Sequence, residues 1–421
     1  MRWFRIDIDR WEEILITITR NKSRSLLTAF GIFWGIFMLV TLMGGSQGLH
    51  DILAANFEGF ATNSGFTFNN RTSVAYQGFQ EGRWWSMELK DIDRVRKAIP
   101  EIDIIAPTNS KWGITATFEK REITGCSMKG VYPEYEEIET PTLSMGRYIN
   151  HIDIQQNRKV CIIGKQIYET LFPEGGNPCG KYVNVNGIFF QVIGVNNSAG
   201  NISVNGWAPE TFIIPFTTMQ KNYNMGNQIE LLCYTAKKGY SIKNIQEKIE
   251  KVLKQAHLIH PDDKQAVMNV NAEALFSMVD NLFTGINILS WMVGLGTLIA
   301  GAIGVSNIMM VTVRERTREI GVRRAIGAKP IDIISQIMSE SLLLTSIAGL
   351  LGLSTGVFLL DIVNKALMNG NSEDVFFSDV GIHIGTAVTA TFILLISGLL
   401  AGLIPAWRAM QIKAIDAIRE E

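Results

Sequence analysis

The sequence predicts an integral membrane protein with four transmembrane helices and a large α+β extracytoplasmic domain inserted between helices 1 and 2. Three observations carry this: four long apolar runs almost free of charge, a bias of Arg and Lys to one side of those runs, and a β-rich middle segment. The overall balance of 39 basic against 40 acidic side chains carries no sign of nucleic-acid binding.

The apolar runs cover 26–49, 282–313, 341–360 and 382–406. Each reaches the roughly 20 residues that a helix needs to cross about 30 Å of hydrocarbon. Arg2, Arg5, Arg10, Arg20, Lys22 and Arg24 precede the first run, and Arg314, Arg316, Arg318, Arg323, Arg324 and Lys329 lie between the second and third. Arg408, Lys413 and Arg419 follow the fourth, whereas the loop after the third has Lys365 against Asp361, Glu373, Asp374 and Asp379. Positive residues stay inside, so both termini and the Arg-rich loop are expected in the cytoplasm and the large domain outside. The first run is too long for a secretory signal and has no small-residue cleavage site, so it is expected to remain as an anchor.

Divided on these signals, the chain has a cytoplasmic amphipathic elbow helix at 1–24, membrane helix 1 at 25–49 and an outer domain at 50–280. Membrane helix 2 follows at 281–313, an inner loop at 314–330, helix 3 at 331–361, an external loop at 362–381, helix 4 at 382–406 and a cytoplasmic tail at 407–421. In the elbow, Ile8, Trp11, Ile14, Leu15 and Ile18 recur at helical steps between basic residues, which suits the inner lipid surface. In the outer domain, Ile92, Val95 and Ile99 share one helical face that Pro100 ends, and Ile242, Ile245, Ile249, Val252 and Leu253 share another. KVCIIG, KYVNVN, IFFQVIGV and ETFIIPF read as strands. Cys126, Cys161, Cys179 and Cys233 all fall in this domain. Three pairings are open to them, with Cys161 reading as a buried strand residue. There is no internal repeat.

Small-residue steps mark faces where membrane helices approach closely: Gly31 to Gly35, Gly352 to Gly356, Gly398 to Gly402, and Gly296 through Ala300 to Gly304. GGNPCGKY at 175–182 has the spacing of a phosphate loop in Gly175, Gly180 and Lys181. Tyr182 stands where Ser or Thr is needed, and the flanks are strands, so it reads as a turn with Lys181 as a solvated charge. Glu340 lies among apolar residues of the third helix and is expected near its inner end, paired or snorkelling. Trp84 and Trp85 read as a packed turn. The five histidines show no ligand spacing, no metal or other cofactor is expected, and no catalytic constellation is visible.

In VRERTREIGVRRAIGAKPIDI helix formers run from Arg314 to Ala325, Gly327 is placed to stop the helix and Pro330 to begin the next. A short amphipathic helix with Arg on its exposed side suits a cytoplasmic partner; the same charges also suit anionic lipid. This segment, continued by SQIMSESLLLTSIAGLLGLSTG, resembles the signature of the MacB/FtsX permease family of ABC transporters. ITRNKSRSLLTAFGIFWGIFMLVTLMGGSQGL is similar to the family's elbow and first helix, and GRYI, RKVCIIGKQIYETLF, GKYVNVNGIFFQVIGV and ETFIIPFTTM to its periplasmic core domain.

The resemblance implies an inner-membrane permease that couples ATP hydrolysis in a partner to movement of its periplasmic domain for export across the cell envelope. It implies a homodimer or a pair with a similar permease, with a periplasmic adaptor and an outer-membrane channel as further partners. The family's coupling helix corresponds to Glu315, Arg316, Arg318, Glu319, Ile320, Gly321, Arg323, Arg324, Ala325, Gly327 and Ala328. MacB itself carries an N-terminal ATPase, and this sequence shows no Walker A and no LSGGQ-like segment, so a separate ABC ATPase subunit is expected and the permease itself is not an enzyme. An FtsX-like transmitter controlling cell-wall hydrolases and a Lol-like lipoprotein release system share the architecture.

Overall fold

The computed structural model describes residues 22–56, 59–198, 203–369 and 384–411. The elbow helix expected before Lys22, most of the external loop and the end of the tail lie outside the described residues. The chain divides into two compact units, Leu53–Asn281 and the pair Met1–Ile52 with Leu282–Glu421.

Helix α1 (Lys22–Asn56) leads into the outer domain. Twelve strands follow: β1 (Ser64–Asn69), β2 (Met87–Glu88), β3 (Ile102–Phe118), β4 (Arg121–Val131), β5 (Leu143–Gly146), β6 (Val160–Gly164), β7 (Tyr182–Val185), β8 (Ile188–Asn196), β9 (Thr211–Pro215), β10 (Gln228–Ile229), β11 (Leu231–Ala236) and β12 (Val267–Asn271). Between them lie α2 (Leu89–Ala98), α3 (His151–Gln155), α4 (Lys165–Leu171), α5 (Phe216–Asn222) and α6 (Ile242–Ala256). The large sheet runs β12-β1-β11-β3-β4-β9-β6-β8-β5, with β7 beside β3 and β8. β4 with β9 and β6 with β8 are parallel; the other pairings are antiparallel. Asn186 and Gly187, both with positive φ, make the two-residue turn that joins β7 to β8 and sets Val185 opposite Ile188.

The long β3 belongs to two cores. Its first half pairs with β11, and there Val95 of α2, Ile99 just after it, and Ile242, Ile245, Ile249 and Leu253 of α6 are buried with β1 and β11. Its second half pairs with β4, and there Cys126, Cys161, Phe190 and Phe212 pack with Ile167 and Leu171 of α4. A fully buried Ile or Phe contributes about 1.5–3 kcal/mol, so each helical face seen in the sequence is explained by the sheet beneath it. All four cysteines are free. Burial pushes the Cys126 thiol up to about 11 and that of Cys161 further, which suits packing rather than reactivity.

Buried charges in this domain are paired. The Lys129 side chain is 1% exposed; its Nζ donates to both Glu139 oxygens at 2.7 Å, and Tyr135 Oη and Ser203 Oγ donate to the same carboxylate. Burial works against the charged Asp153, but hydrogen bonds from Arg147 and the Asn150 backbone outweigh it and hold the pKa below its ordinary value. Asp263 is lowered in the same way: burial opposes charge, and Ser73, Gln265 and Ala266 donate to it. In Asp91 burial again opposes charge, and His257, Glu88 and Arg94 prevail.

The other unit holds α7 (Ala272–Glu315) from Leu282 onward, α8 (Thr317–Ala325), α9 (Pro330–Asn369) and α10 (Ile384–Met410). α1, α7, α9 and α10 are long and apolar enough to cross a membrane. α1 and the Leu282–Glu315 part of α7 run antiparallel in close register: Gly31 meets Gly301, Gly35 meets Leu298, Gly294 meets Leu39, and His50 lies edge-on to Phe283. α9 runs parallel to α1, with Gly352 against the Phe33 carbonyl, Gly356 against Val40 and Gly45 near Leu360. α10 returns along α9, where Gly398 faces Thr345 and Gly402 faces Met338 and Ser341; Ser341 Oγ donates to the Gly398 carbonyl at 3.0 Å. Thr41, Ser290, Thr355 and Ser397 satisfy their hydroxyls on carbonyls of their own helices.

Within this chain the residues of the second membrane helix that approach α1 differ from the expected step Gly296–Ala300–Gly304. A Cβ at Gly296 would meet nothing within 4 Å, whereas Gly294 and Gly301 approach α1. At about 100° per residue, Gly296 sits some 200° around the helix from Gly294. The buried stripe runs through Leu298 and Val305, leaving Ala300 exposed and Gly304 half-buried.

Gly352→Val, which sets a branched side chain against a carbonyl 2.5 Å from the added Cβ, is expected to cost about 1–3 kcal/mol, seen as a lower thermal midpoint in detergent. Gly296→Ala is expected to change stability by less than about 0.5 kcal/mol. The lowered folded-state pKa values of Asp91, Asp153 and Asp263 stabilise the fold above the unfolded carboxylate value near about 3.9 and are lost as pH falls through the folded values. The thermal midpoint is therefore expected to fall between about pH 5 and about pH 2, and Asp153→Asn to make that fall shallower.

Candidate functional site

The segment joining the second and third membrane helices is a compact hairpin. α7 ends at Glu315 and α8 begins at Thr317, so Arg316 alone separates them, at φ −100° and ψ 11°. The hydrogen bonds from Arg316 N to the Thr312 carbonyl and from Ile320 N to the Arg316 carbonyl carry the chain through the bend. At the other end, Ala328 N donates to the Arg323 carbonyl and Gly327 N to that of Arg324, while Gly327 takes φ +101°. This is the six-to-one, five-to-two closure that a left-handed glycine permits at a helix end. Pro330 then opens α9 at a position where its missing N–H costs nothing.

Inside the hairpin, Ile320 and Gly321 are buried, and Ile320 packs in a cluster with Val313, Ile333 and Ile337. Three arginines turn toward neighbouring helices. Arg316 Nη1 lies 3.1 Å from Glu340 Oε1, Arg323 Nη1 donates to Gln336 Oε1 at 3.0 Å, and Arg324 Nη1 donates to the Met410 carbonyl at 2.9 Å. Arg323 also pairs with Glu319 one turn earlier, at 2.7 Å. Glu340 is 6% exposed, so this acid of the third helix, between Asp332 and Asp361, lies inside the hairpin next to Arg316.

The eleven residues of the expected coupling segment thus separate into three groups. Ile320 and Gly321 point inward. Arg316, Arg323 and Arg324 brace the hairpin, with Ala328 half-buried behind the turn. Glu315, Arg318, Glu319, Ala325 and Gly327 are at the surface. Beside these stand apolar side chains that sequence reasoning missed: Ile326, 82% exposed, with Val322 and Ile331. Their spacing gave no warning, because which of several isoleucines faces inward depends on where α9 lies. Glu340 was visible only as a polar residue among apolar ones, and Gln336, four residues before it on α9, gave no signal in the sequence.

The remaining singled-out residues lie in the outer domain. In GGNPCGKY, Gly175, Gly176 and Gly180 have positive φ, and the chain turns into β7. Lys181 is exposed, but its Nζ also lies over the Phe172 and Phe118 rings at 5.2 and 5.7 Å. Trp85 is buried and donates its indole N–H to the Ala266 carbonyl, whereas Trp84 is 62% exposed. Among the described residues, no three His, Cys, Asp or Glu side chains gather as a metal site.

Residues 25–252 match the model of a MacB-like periplasmic core domain, more than half of the chain, and residues 291–414 match an FtsX-like permease C-terminal region. The chain is 26% identical, over 96% of its length, to the macrolide export ATP-binding/permease protein MacB of Bdellovibrio bacteriovorus. It is 27% identical, again over 96% of its length, to the protein of that name from Mannheimia succiniciproducens. It spans 60% of the length of each of these relatives. The crystal structure of the periplasmic region of MacB from Actinobacillus actinomycetemcomitans aligns at 20% identity with a TM-score of 0.42, covering 55% of this chain and 98% of that one. The chain belongs to the MacB/FtsX permease family, with a MacB-like periplasmic core domain followed by an FtsX-like permease region.

Proposed function

We propose that the chain is the permease subunit of a MacB-like ABC transporter, in which a separate cytoplasmic ATPase drives conformational change of the periplasmic domain for export across the cell envelope. In this reading the protein spans the inner membrane with both termini and the hairpin in the cytoplasm, in keeping with the Arg and Lys on that side. It works as a homodimer or with a similar permease, beside a periplasmic adaptor.

The observation that carries this reading is the exposed face of the hairpin. Val322, Ile326 and Ile331 stand in the open next to Arg318 and Glu319, on a short helix held by Arg316, Arg323 and Arg324. An exposed apolar cluster rimmed by charges suits a protein partner better than lipid headgroups alone. The glycine-closed turn and the braces keep the cluster rigid, so a push from a partner becomes movement of α7 and α9 rather than local bending.

Ile326→Asp places a charge at the centre of that face without touching the hairpin's interior. It is expected to leave expression and the thermal midpoint unchanged. Co-purification of the ABC ATPase that accompanies the tagged native chain should fall by about tenfold or more, the effect of losing at least about 1.4 kcal/mol. Undiminished co-purification and ATPase stimulation with this variant would count against the proposed docking face.

A further inference from the structure

We propose that the Arg316–Glu340 ion pair sets the angle at which α8 leaves α7, making both side chains positioning residues for energy coupling. The inference rests on the coupling reading above and deepens it.

The joint between the two helices is one residue long. Because Arg316 is outside helical geometry while the backbone hydrogen bonds on either side persist, the direction of α8 depends on that residue's two dihedrals. The backbone alone holds such a joint weakly. The side chain of the same residue spans to α9 and meets Glu340, so what fixes the joint is attached to the joint itself.

The cost of parting the two groups follows from where Glu340 lies. Its carboxylate is in a cleft where apolar Met309, Val313 and Ile337 alternate with polar Arg323, Gln336 and Thr312. A largely buried carboxylate is costly unless its charge is met, so losing a guanidinium at 3.1 Å raises that cost. A bend that swings Arg316 away from α9 therefore meets a steep penalty. The side-chain exposures, 28% for Arg316 and 7% for Glu340, make the penalty asymmetric, because the carboxylate is the more enclosed of the two groups. A second contact, Arg323 to Gln336, lies one turn of α9 nearer the turn, since Gln336 and Glu340 are four residues apart. Two polar contacts on one face fix register as well as angle, which apolar packing of Ile320 on Ile333 and Ile337 does not.

The test uses the full chain in lipid nanodiscs, with and without the ABC ATPase that co-purifies with it. Amide hydrogen exchange over 312–325 and ATPase stimulation are read for Arg316→Gln, Glu340→Gln and the reversed pair Arg316→Glu with Glu340→Arg. Each single change is expected to speed exchange in this stretch by about tenfold or more and to cut stimulation similarly, with the ATPase still bound. The effect should be larger for Arg316→Gln, and the reversed pair should restore both readings to within about threefold of the native chain. Should Arg316→Gln fail to fold, Arg316→Lys replaces it, keeping the charge while losing the planar fork.

Native exchange and native stimulation in both single variants would overturn the proposal, as would a reversed pair that folds but restores neither reading. If the native chain binds no ATPase at all, the coupling reading falls, and the exchange measurements still decide whether the ion pair holds the joint.

Discussion

Everything in the membrane-spanning unit depends on how closely α1 approaches its two neighbours. In lipid no hydrophobic force pulls helices together, so association rests on van der Waals contact, which small residues permit at backbone distance. Gly31 and Gly301 bring α1 against α7, and Gly352 lies against the Phe33 carbonyl where α9 meets α1. α1 thereby acts as a template that fixes the heights of α7 and α9. Because α7 and α9 are held in register by the same helix, Arg316 at the end of one reaches Glu340 near the start of the other. A slip by one turn would separate the two charges and leave an enclosed carboxylate without the guanidinium at 3.1 Å.

The same logic explains which features were readable from the sequence. Hydropathy exposed four helices because length and absence of charge are properties of a segment by itself. The faces Ile92–Val95–Ile99 and Ile242–Ile245–Ile249 were readable for a similar reason, since an isolated amphipathic helix already shows which side must be covered. The β7–β8 hairpin is local chemistry, with Asn and Gly at the two positions that need positive φ. Direction within an all-apolar helix is another matter. Gly294 and Gly296 are equally small, and nothing in the run says which faces α1. Ile320 and Ile326 are chemically alike, yet one is buried and the other almost bare. Trp84 and Trp85 divide in the same manner, and Lys181 gained ring partners that come from β3 and from the end of α4.

Buried charge has a parallel part in the outer domain. Lys129, Asp153 and Asp263 are enclosed, and each is met by several donors or acceptors: Asp153 by its neighbours Arg147 and Asn150, Asp263 by the distant Ser73, and Lys129 by Glu139 together with the distant Ser203. An apolar core tolerates small shifts of one layer over another, whereas a saturated carboxylate accepts one arrangement of its donors. Asp263 ties the Ser73 loop to the approach to β12, and Glu139 ties Ser203 to β4 through Lys129, so these groups order the loops around the sheet.

β3 gives the outer domain its mechanical character. Through Thr108 it is a strand of the β11 side, and from Asn109 onward a strand of the β4 side. At the crossover, Glu230 accepts from Ser110, and Asn109 accepts from the Glu230 backbone. The two cores are therefore spliced by an unbroken covalent backbone rather than hinged by a linker. A load on either core therefore has an unbroken covalent path to the other along β3, and the irregularities between Lys111 and Ala116 are where that path can give.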